Sequence, residues 1–237
     1  TTLYNNHGLL IIDKPAGWTS FDVVAKIRGK IRAEYTAKGE KPTKKQLRVG
    51  HAGTLDPFAT GLLIVLLGDA CKKAGEFLKL DKTYEFTAKL GEVSTTGDIE
   101  GEITVVNNTI PTEKAVKDAL KQFAGVISQV PPAFSAIKID GRRAYKLARE
   151  GKKVEIPPRQ VKIYRLELVS YEYPYLKCVC DVSSGTYIRT LVEDIGKILN
   201  TGAYCAELRR TRIKTFEIQG AVNVEALVGP SSGTLVI

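Results

Sequence analysis

The sequence predicts an α+β fold built around a largely antiparallel sheet, and three observations lead to that prediction. In YEFTAKL, residues 84–90, apolar residues alternate with polar ones, which is typical of a strand with one buried and one wet face. Half-buried strands of this kind are usual in antiparallel sheets. Helical and strand patterns are mixed along the chain without a regular strand–helix–strand repeat, which argues against a parallel α/β fold.

The N-terminal part is predicted to form a strand followed by a helix. Residues 8–13, GLLIID, are typical of a strand, and Thr19 or Ser20 is a suitable N-cap for the helix. The helix has one apolar face, formed by Val23, Val24, Ile27 and Ile31. Residues 33–48 contain Pro, Gly and several lysines, so we expect an exposed, mobile, basic loop there.

The later segments continue this mixture. Residues 112–123 have helical spacing with Thr112 as a cap and Gly125 available to end the helix. Residues 161–169 and 176–182 are predicted strands, and YIRTLVEDIGKIL is a predicted amphipathic helix. A basic insert at about residues 130–159 is bracketed by two Pro-Pro pairs, which indicates a protruding arm.

Composition limits the classes of protein that the chain can belong to. Apolar residues make up 43 % of the 237 residues, and no apolar run approaches the roughly 18 to 20 residues of a membrane span. The N-terminus lacks a secretory signal pattern, so a cytoplasmic location is expected. A net charge of +9 favours an anionic partner, with nucleic acid first, although many proteins are basic for solubility alone.

The four cysteines do not form a metal-binding pattern. They include no C-x-x-C pair, and the two histidines are too far away to complete a zinc site. Cys178 and Cys180 share one face of a predicted strand, which favours core packing.

The glycine-rich segment GHAGTLDPFATG, residues 50–61, permits two interpretations. Asp56-Pro57 alone has the form of a helix start, with ATGLLIVLLG as the helix, and His51 alone is typical of a structural polar group. Three glycines, however, permit close approach of a large ligand. The segment lacks the P-loop pattern, and the residues alone favour structural capping over catalysis.

Several segments, in order, resemble the TruB family of tRNA pseudouridine synthases. They are the loop at 50–61, DKPAGWTS at 13–20, KTYEFTAKLGEVSTTGDIEG at 82–101 with Ser94 where Thr is usual, the arm PPAFSAIKIDGRRAYKLAREG at 131–151, SSGTYIRTLVEDIG at 183–196 and GAYCAELRRT at 202–211. The resemblance implies the pseudouridine synthase fold, with helices flanking a mixed sheet and a thumb-like insertion. It also implies conversion of a T-loop uridine of tRNA, position 55, to pseudouridine without a cofactor.

The resemblance further implies roles for single residues. Asp56 is the catalytic carboxylate and Arg189 pairs with it, while Tyr84 is a third catalytic residue that stacks on the target base and assists removal of a proton from it. His51 supports the flipped RNA loop, Tyr187 and Leu208 line the uridine pocket, and Asp98 is a further acid of the cleft. The arm offers phosphate contacts from Lys138, Arg142, Arg143, Lys146, Arg149, Lys152 and Lys153. Without the resemblance, Arg189 reads as a surface arginine and Tyr84 as a core tyrosine.

The chain departs from the family pattern in two places, and two alternatives stay open. Residues 33–48 are longer and richer in lysine than the pattern, and a C-terminal PUA module is not visible. We therefore expect one catalytic domain over residues 1–237, acting as a monomer without a protein partner, guide RNA or membrane. The alternatives are an RNA-binding or tRNA-folding module without catalysis, and the same chemistry on another T-loop-like hairpin.

Overall fold

Five α-helices and fifteen strands occur in the part of the chain that this computed structural model describes, namely residues 3, 7–139, 141–151, 155–228 and 235–236. The helices are α1 (Ser20–Ala37), α2 (Ala74–Leu78), α3 (Glu113–Lys121), α4 (Ala144–Arg149) and α5 (Ile188–Ile198). The strands are β1 (Gly8–Lys14), β2 (Val49–Ala52), β3 (Thr60–Leu67), β4 (Lys82–Leu90), β5 (Glu92–Ser94), β6 (Ile103–Val105), β7 (Gly125–Gln129), β8 (Lys138–Ile139), β9 (Arg142–Arg143), β10 (Arg159–Glu172), β11 (Tyr175–Val182), β12 (Ala203–Ile213), β13 (Phe216–Glu217), β14 (Val222–Asn223) and β15 (Leu235–Val236).

The chain divides into two compact units, and strand pairing is mixed in the first unit. The first unit is Thr1–Lys82 with Arg209–Ile237, and the second is Thr83–Leu208. In the first, β1 pairs antiparallel with β3 and parallel with β14, and the C-terminal part of β12 pairs parallel with β3. In the second, β10 pairs antiparallel with both β7 and β11. The predicted α+β class with a largely antiparallel sheet is confirmed.

Helix α1 begins where the sequence predicts but ends later. Thr19 and Asp22 form a capping box: the Thr19 hydroxyl accepts from the Asp22 amide at 3.0 Å, and the Asp22 carboxylate accepts from the Thr19 amide at 2.8 Å. The predicted apolar face is buried in the core of the first unit. The loop predicted over residues 33–48 is wrong for residues 33–37, because Tyr35, only 2 % exposed, extends the buried face of the helix.

The apolar run after the glycine-rich segment forms strand β3 and not a helix. Its residues from Gly61 to Leu67 are all buried. Alternate side chains pack into two different core clusters, with Leu63 in one and Ile64 in the other. Since both faces are buried, the strand shows no alternation that would distinguish it from a buried helix. The interpretation of Asp56-Pro57 as a helix start is therefore wrong.

The second unit follows the predicted pattern more closely. In β4, Tyr84 and Phe86 are buried and Glu85 is exposed, as predicted. Thr87 is also buried, and its hydroxyl donates to the Glu207 carboxylate at 2.7 Å. Helix α3 begins after the predicted cap Thr112. Cys178 and Cys180 are fully buried, as expected of core residues. None of the helices in the described ranges combines the length and apolarity that crossing a membrane requires.

Candidate active site

Leu55, the residue before Asp56, has both its backbone amide and its backbone carbonyl hydrogen-bonded to one side chain. The Leu55 amide donates to the Ser20 hydroxyl at 2.9 Å, and that hydroxyl donates back to the Leu55 carbonyl at 3.2 Å. Ser20 and Leu55 are both buried, whereas Asp56 is half-buried. The predicted alternative cap Ser20 therefore fixes the loop before Asp56, and Thr19 caps the helix.

Pro57, the residue after Asp56, is held by hydrogen bonds to its backbone carbonyl. The Pro57 carbonyl accepts hydrogen bonds from the Gly17 amide at 2.8 Å and from Lys14 Nζ at 3.3 Å. Lys14 is fully buried, and its ammonium also donates to the carbonyls of Pro15 and Trp18 at 2.9 and 2.6 Å. A buried ammonium needs such acceptors, because it has lost its hydration. Hydrogen bonds from residues 14–20 thus fix the backbone on both sides of Asp56.

Arg210 of β12 forms hydrogen bonds on both sides of the same loop. Arg210 is 1 % exposed, and its guanidinium donates to the carbonyls of Leu62 and Gly53, each at 2.8 Å. Gly61 has φ +107°, and a Cβ there would lie 2.2 Å from the Arg210 carbonyl oxygen. Gly61 is therefore required by close approach of β12, a contact within the protein, and not by a ligand. His51 lies on β2 opposite Val65, with its side chain half-buried.

Arg189 and Asp98 form a buried ion pair in the second unit. Arg189 Nη1 lies 3.4 Å from Asp98 Oδ2, and each side chain is 4 % exposed. The guanidinium also donates to the carbonyls of Thr96 and Phe134, each at 2.8 Å. Asp98 in turn accepts from the Thr96 hydroxyl at 2.6 Å. Charge-assisted bonds of this kind hold a buried arginine in one orientation.

The predicted pocket residues lie on three elements of the second unit. Tyr84 on β4 and Leu208 on β12 are buried, with 7 % and 8 % of their surface exposed. Tyr187 is half-buried at the N-cap of α5, and the Arg159 guanidinium lies 4.9 Å from its ring centroid. Gln129, 1 % exposed, accepts from the Tyr187 amide at 3.0 Å and donates to its carbonyl at 3.2 Å.

The basic arm contains a small hairpin followed by a helix. Strands β8 and β9 pair antiparallel, with Lys138 opposite Arg143, and α4 follows directly. Arg142 forms an ion pair with Glu150, so one predicted phosphate contact already has a carboxylate partner. Lys146 is exposed. The side chains of Lys138 and Arg143, and all of Lys152 and Lys153, lie outside the described residues.

Comparison with known families identifies the chain. A family model described as TruB family pseudouridylate synthase, N-terminal domain, matches residues 41–188, which is more than half of the chain. The chain belongs to the TruB family of pseudouridylate synthases. A second model, the tRNA pseudouridylate synthase B C-terminal domain, matches residues 189–230. The reaction of this TruB-family enzyme is the isomerisation of uridine to pseudouridine.

Relatives of this TruB chain agree with that assignment. It is 44 % identical over 223 residues to tRNA pseudouridine synthase B of Pseudomonas syringae pv. syringae (strain B728a), covering 94 % of this chain and 69 % of the relative. The enzyme of the same name from Parabacteroides distasonis is also 44 % identical, with 94 % of this chain and 89 % of the relative covered. A crystal structure of a Cbf5-Nop10-Gar1 complex matches with a TM-score of 0.68 and 29 % identity, over 94 % of this chain and 54 % of that chain.

The candidate residues of the TruB chain are divided between its two units. Asp56 and His51 belong to the first unit, and all other predicted site residues belong to the second. The pairing of Arg189 with Asp56 stays a prediction, whereas the pair of Arg189 with Asp98 is observed. Sequence reasoning missed Lys14, Ser20, Arg210 and Gln129. The family motifs contain the first three, but their hydrogen bonds join residues distant in sequence.

Proposed function

We propose that the chain is a tRNA pseudouridine synthase that acts on the T-loop uridine at position 55. The relatives named tRNA pseudouridine synthase B support tRNA as the substrate. The observation that carries the proposal is the fixed backbone around Asp56, with Leu55 bonded to Ser20 and Pro57 bonded to Lys14 and Gly17. A reacting carboxylate must be held near its target, and these bonds supply that constraint.

The reaction needs a carboxylate but no redox partner. The glycosidic C–N bond of uridine breaks, the base rotates, and a ring carbon bonds to the sugar. That carbon loses its proton and the released nitrogen gains one, so atoms and electrons balance without a cofactor. In this proposal Asp56 attacks the sugar or the base, or removes the proton, as carboxylates do in glycoside chemistry.

The other site residues are proposed to hold a flipped base. A uridine within an RNA loop must leave its stack, at a cost of a few kcal/mol. We assign Tyr84 to stacking on the base, Tyr187 and Leu208 to the pocket wall, and His51 to support of the RNA loop. Arg189, oriented by Asp98, is assigned to keeping the Asp56 carboxylate ionised.

The proposal includes a defined set of partners. The T stem-loop contacts the arm through phosphates of the RNA backbone, with Lys138, Arg142, Arg143 and Lys146 positioning the RNA and not reading its sequence. The enzyme acts as a monomer, in the cytoplasm, without a protein partner or guide RNA.

The test is an Asp56→Asn variant assayed for pseudouridine on bulk tRNA and on a T-loop hairpin. An amide is a feeble nucleophile and base, so turnover should fall by at least about a thousandfold. Binding of tRNA should be unchanged or slightly tighter, because a negative charge is lost. Asp118→Asn, the same change on the exposed face of α3, is the control and should leave turnover unchanged.

Two results would contradict the proposal. Turnover near that of the wild type in Asp56→Asn would remove the carboxylate from the mechanism. Pseudouridine formed by the wild type only outside the T loop would leave the chemistry intact but refute the T-loop assignment.

A further inference from the structure

A second basic surface lies in the first unit and is not part of the arm. We define the loop-38 surface by its cations, which are Lys38, Lys41, Lys44, Lys45, Arg48 and Lys72. Two carboxylates, Glu40 and Asp69, lie in the same segments, so six cations outnumber two anions. All six cations are exposed.

The backbone of the loop-38 surface is tied to the rest of the unit. The Leu47 amide donates to the Thr43 carbonyl at 3.0 Å, and the Arg48 amide donates to the Lys45 carbonyl at 3.1 Å. Leu47 packs against the core of the unit, and the Gly68 amide donates to the Arg48 carbonyl at 2.8 Å. The cations are therefore presented by an anchored turn and not by a tail.

One carboxylate at the centre of this surface is shared by three cations. Asp69 lies 3.0 Å from Lys45, 3.2 Å from Lys72 and 3.9 Å from Arg48. Hydrogen bonds from Lys45 and Lys72 lower the pKa of Asp69, so its charge is present at neutral pH. Among the described residues, no carboxylate pairs with Lys41, which leaves the surface with excess positive charge.

The loop-38 surface is far from Asp56 within the same unit. Arg48 directly precedes β2, whose first residue Val49 pairs with Leu67 at the end of β3. The Asp56 loop directly precedes Thr60, at the other end of β3. Seven steps of a strand, at about 3.3 Å each, separate these ends by about 23 Å.

We propose that the loop-38 surface binds backbone phosphates of the tRNA outside the reacting loop, which rests on the proposed function above. Ordered cations in excess over carboxylates attract a polyanion and release its counterions on binding. Lysines act as point charges without base readout, so this contact adds affinity and not sequence choice. At on the order of 3 Å per base pair, a span of about 20 Å requires several base pairs beyond the loop.

The experiment compares two triple variants that each remove three positive charges. One is Lys38→Gln/Lys41→Gln/Lys44→Gln on the loop-38 surface. The control is Lys114→Gln/Lys117→Gln/Lys121→Gln on α3, where the lysines pair with Asp118 and Glu113. Dissociation constants are measured for whole tRNA and for a T-loop hairpin with a two-base-pair stem, over a series of salt concentrations.

The loop-38 variant should bind whole tRNA at least about tenfold more weakly at low salt, with a log-log salt slope smaller by two to three units. It should bind the short hairpin within about twofold of the wild type and keep its kcat at saturating tRNA. The control variant should change the dissociation constants for whole tRNA and for the short hairpin by no more than about twofold.

Three results would overturn the inference. In the first, both triple variants weaken tRNA binding equally, which would be an effect of net charge alone. In the second, the loop-38 variant weakens binding of whole tRNA and of the short hairpin equally. In the third, the loop-38 variant does not weaken tRNA binding at all. A wild-type enzyme that binds tRNA but forms no pseudouridine would refute the proposed function, while the binding comparison would still decide the role of the loop-38 surface.

Discussion

Replacing Ser20 by alanine removes both hydrogen bonds that hold Leu55 next to Asp56. The hydroxyl accepts from the Leu55 amide at 2.9 Å and donates to its carbonyl at 3.2 Å. Ser20 and Leu55 are 2 % and 3 % exposed, so water does not readily replace the hydroxyl. The variant therefore leaves a buried amide and a buried carbonyl unsatisfied.

The expected effect follows from these two groups. An unsatisfied buried polar group costs about 1–3 kcal/mol, and the carbonyl suffers less than the amide, so we expect a total of about 2–3 kcal/mol. In a chain of this size, 1 kcal/mol corresponds to roughly 2–4 °C, which gives a Tm lower by about 4–12 °C. Displacement of the Asp56 backbone by even about 1 Å lowers kcat by up to about a hundredfold.

The assay is a thermal melt beside pseudouridine formation and tRNA binding. Thr36→Ala is the control on the same helix, since the Thr36 hydroxyl is exposed and donates to the Arg32 carbonyl at 3.0 Å. That variant should melt within about 2 °C of the wild type. The dissociation constant for tRNA should not change in either variant. If Ser20→Ala matches Thr36→Ala in both Tm and kcat, the hydroxyl does not support the loop.

Two further predictions concern the first unit. Gly61→Ala should lower the free energy of unfolding by more than about 3 kcal/mol, because φ is +107° and the new Cβ would lie 2.2 Å from the Arg210 carbonyl oxygen. The control is Gly50→Ala, whose Cβ would have Cys71 Sγ at 3.6 Å as its nearest neighbour and which should change the free energy of unfolding by less than about 1 kcal/mol in the same urea titration. Similar losses of stability in the two variants would refute the close approach of β12 to Gly61. Burial, together with the positive charge of Arg210, lowers the pKa of Lys82 from 10.5 to about 8. Between about pH 8 and pH 10.5 Lys82 therefore binds more protons in the unfolded chain than in the folded chain, so its contribution to the free energy of unfolding rises as the pH increases over this range. Denaturant titrations across that range should show the wild type gaining stability relative to Lys82→Met; a constant difference would contradict the lowered pKa.

Local patterns predicted most elements of the fold, and the errors have physical causes. The sequence of β4 alternates between apolar and polar residues because one of its faces meets polar surroundings. The sequence of β3 is apolar throughout and shows no such alternation, because both of its faces are buried. The prediction for the end of α1 is wrong because Tyr35 and Leu47 are the only large apolar residues in the polar, lysine-rich sequence 33–48. Its burial depends on packing partners that local composition does not reveal.

The candidate site was predictable in its residues but not in its supports. Asp98 and Arg189 were both identified from motifs, yet their pairing joins residues 91 positions apart and depends on the fold. The hydroxyl of Ser20 looked like a helix cap, because a serine at a helix start usually caps it. Its bond to Leu55 becomes visible only once α1 and the Asp56 loop are placed together.

The bracing of the Asp56 loop by Arg210 also sets an order for folding during synthesis. The first unit is interrupted in sequence, since residues 83–208 intervene between its two parts. Arg209 binds Asp13 across 196 positions, and Arg210 binds Leu62 across 148. At about 5–20 residues per second, the ribosome takes several seconds or more to make the intervening segment. A nascent chain that has not reached Arg210 contains Asp56 without these hydrogen bonds, so the loop acquires them only after residues 83–208 have been made.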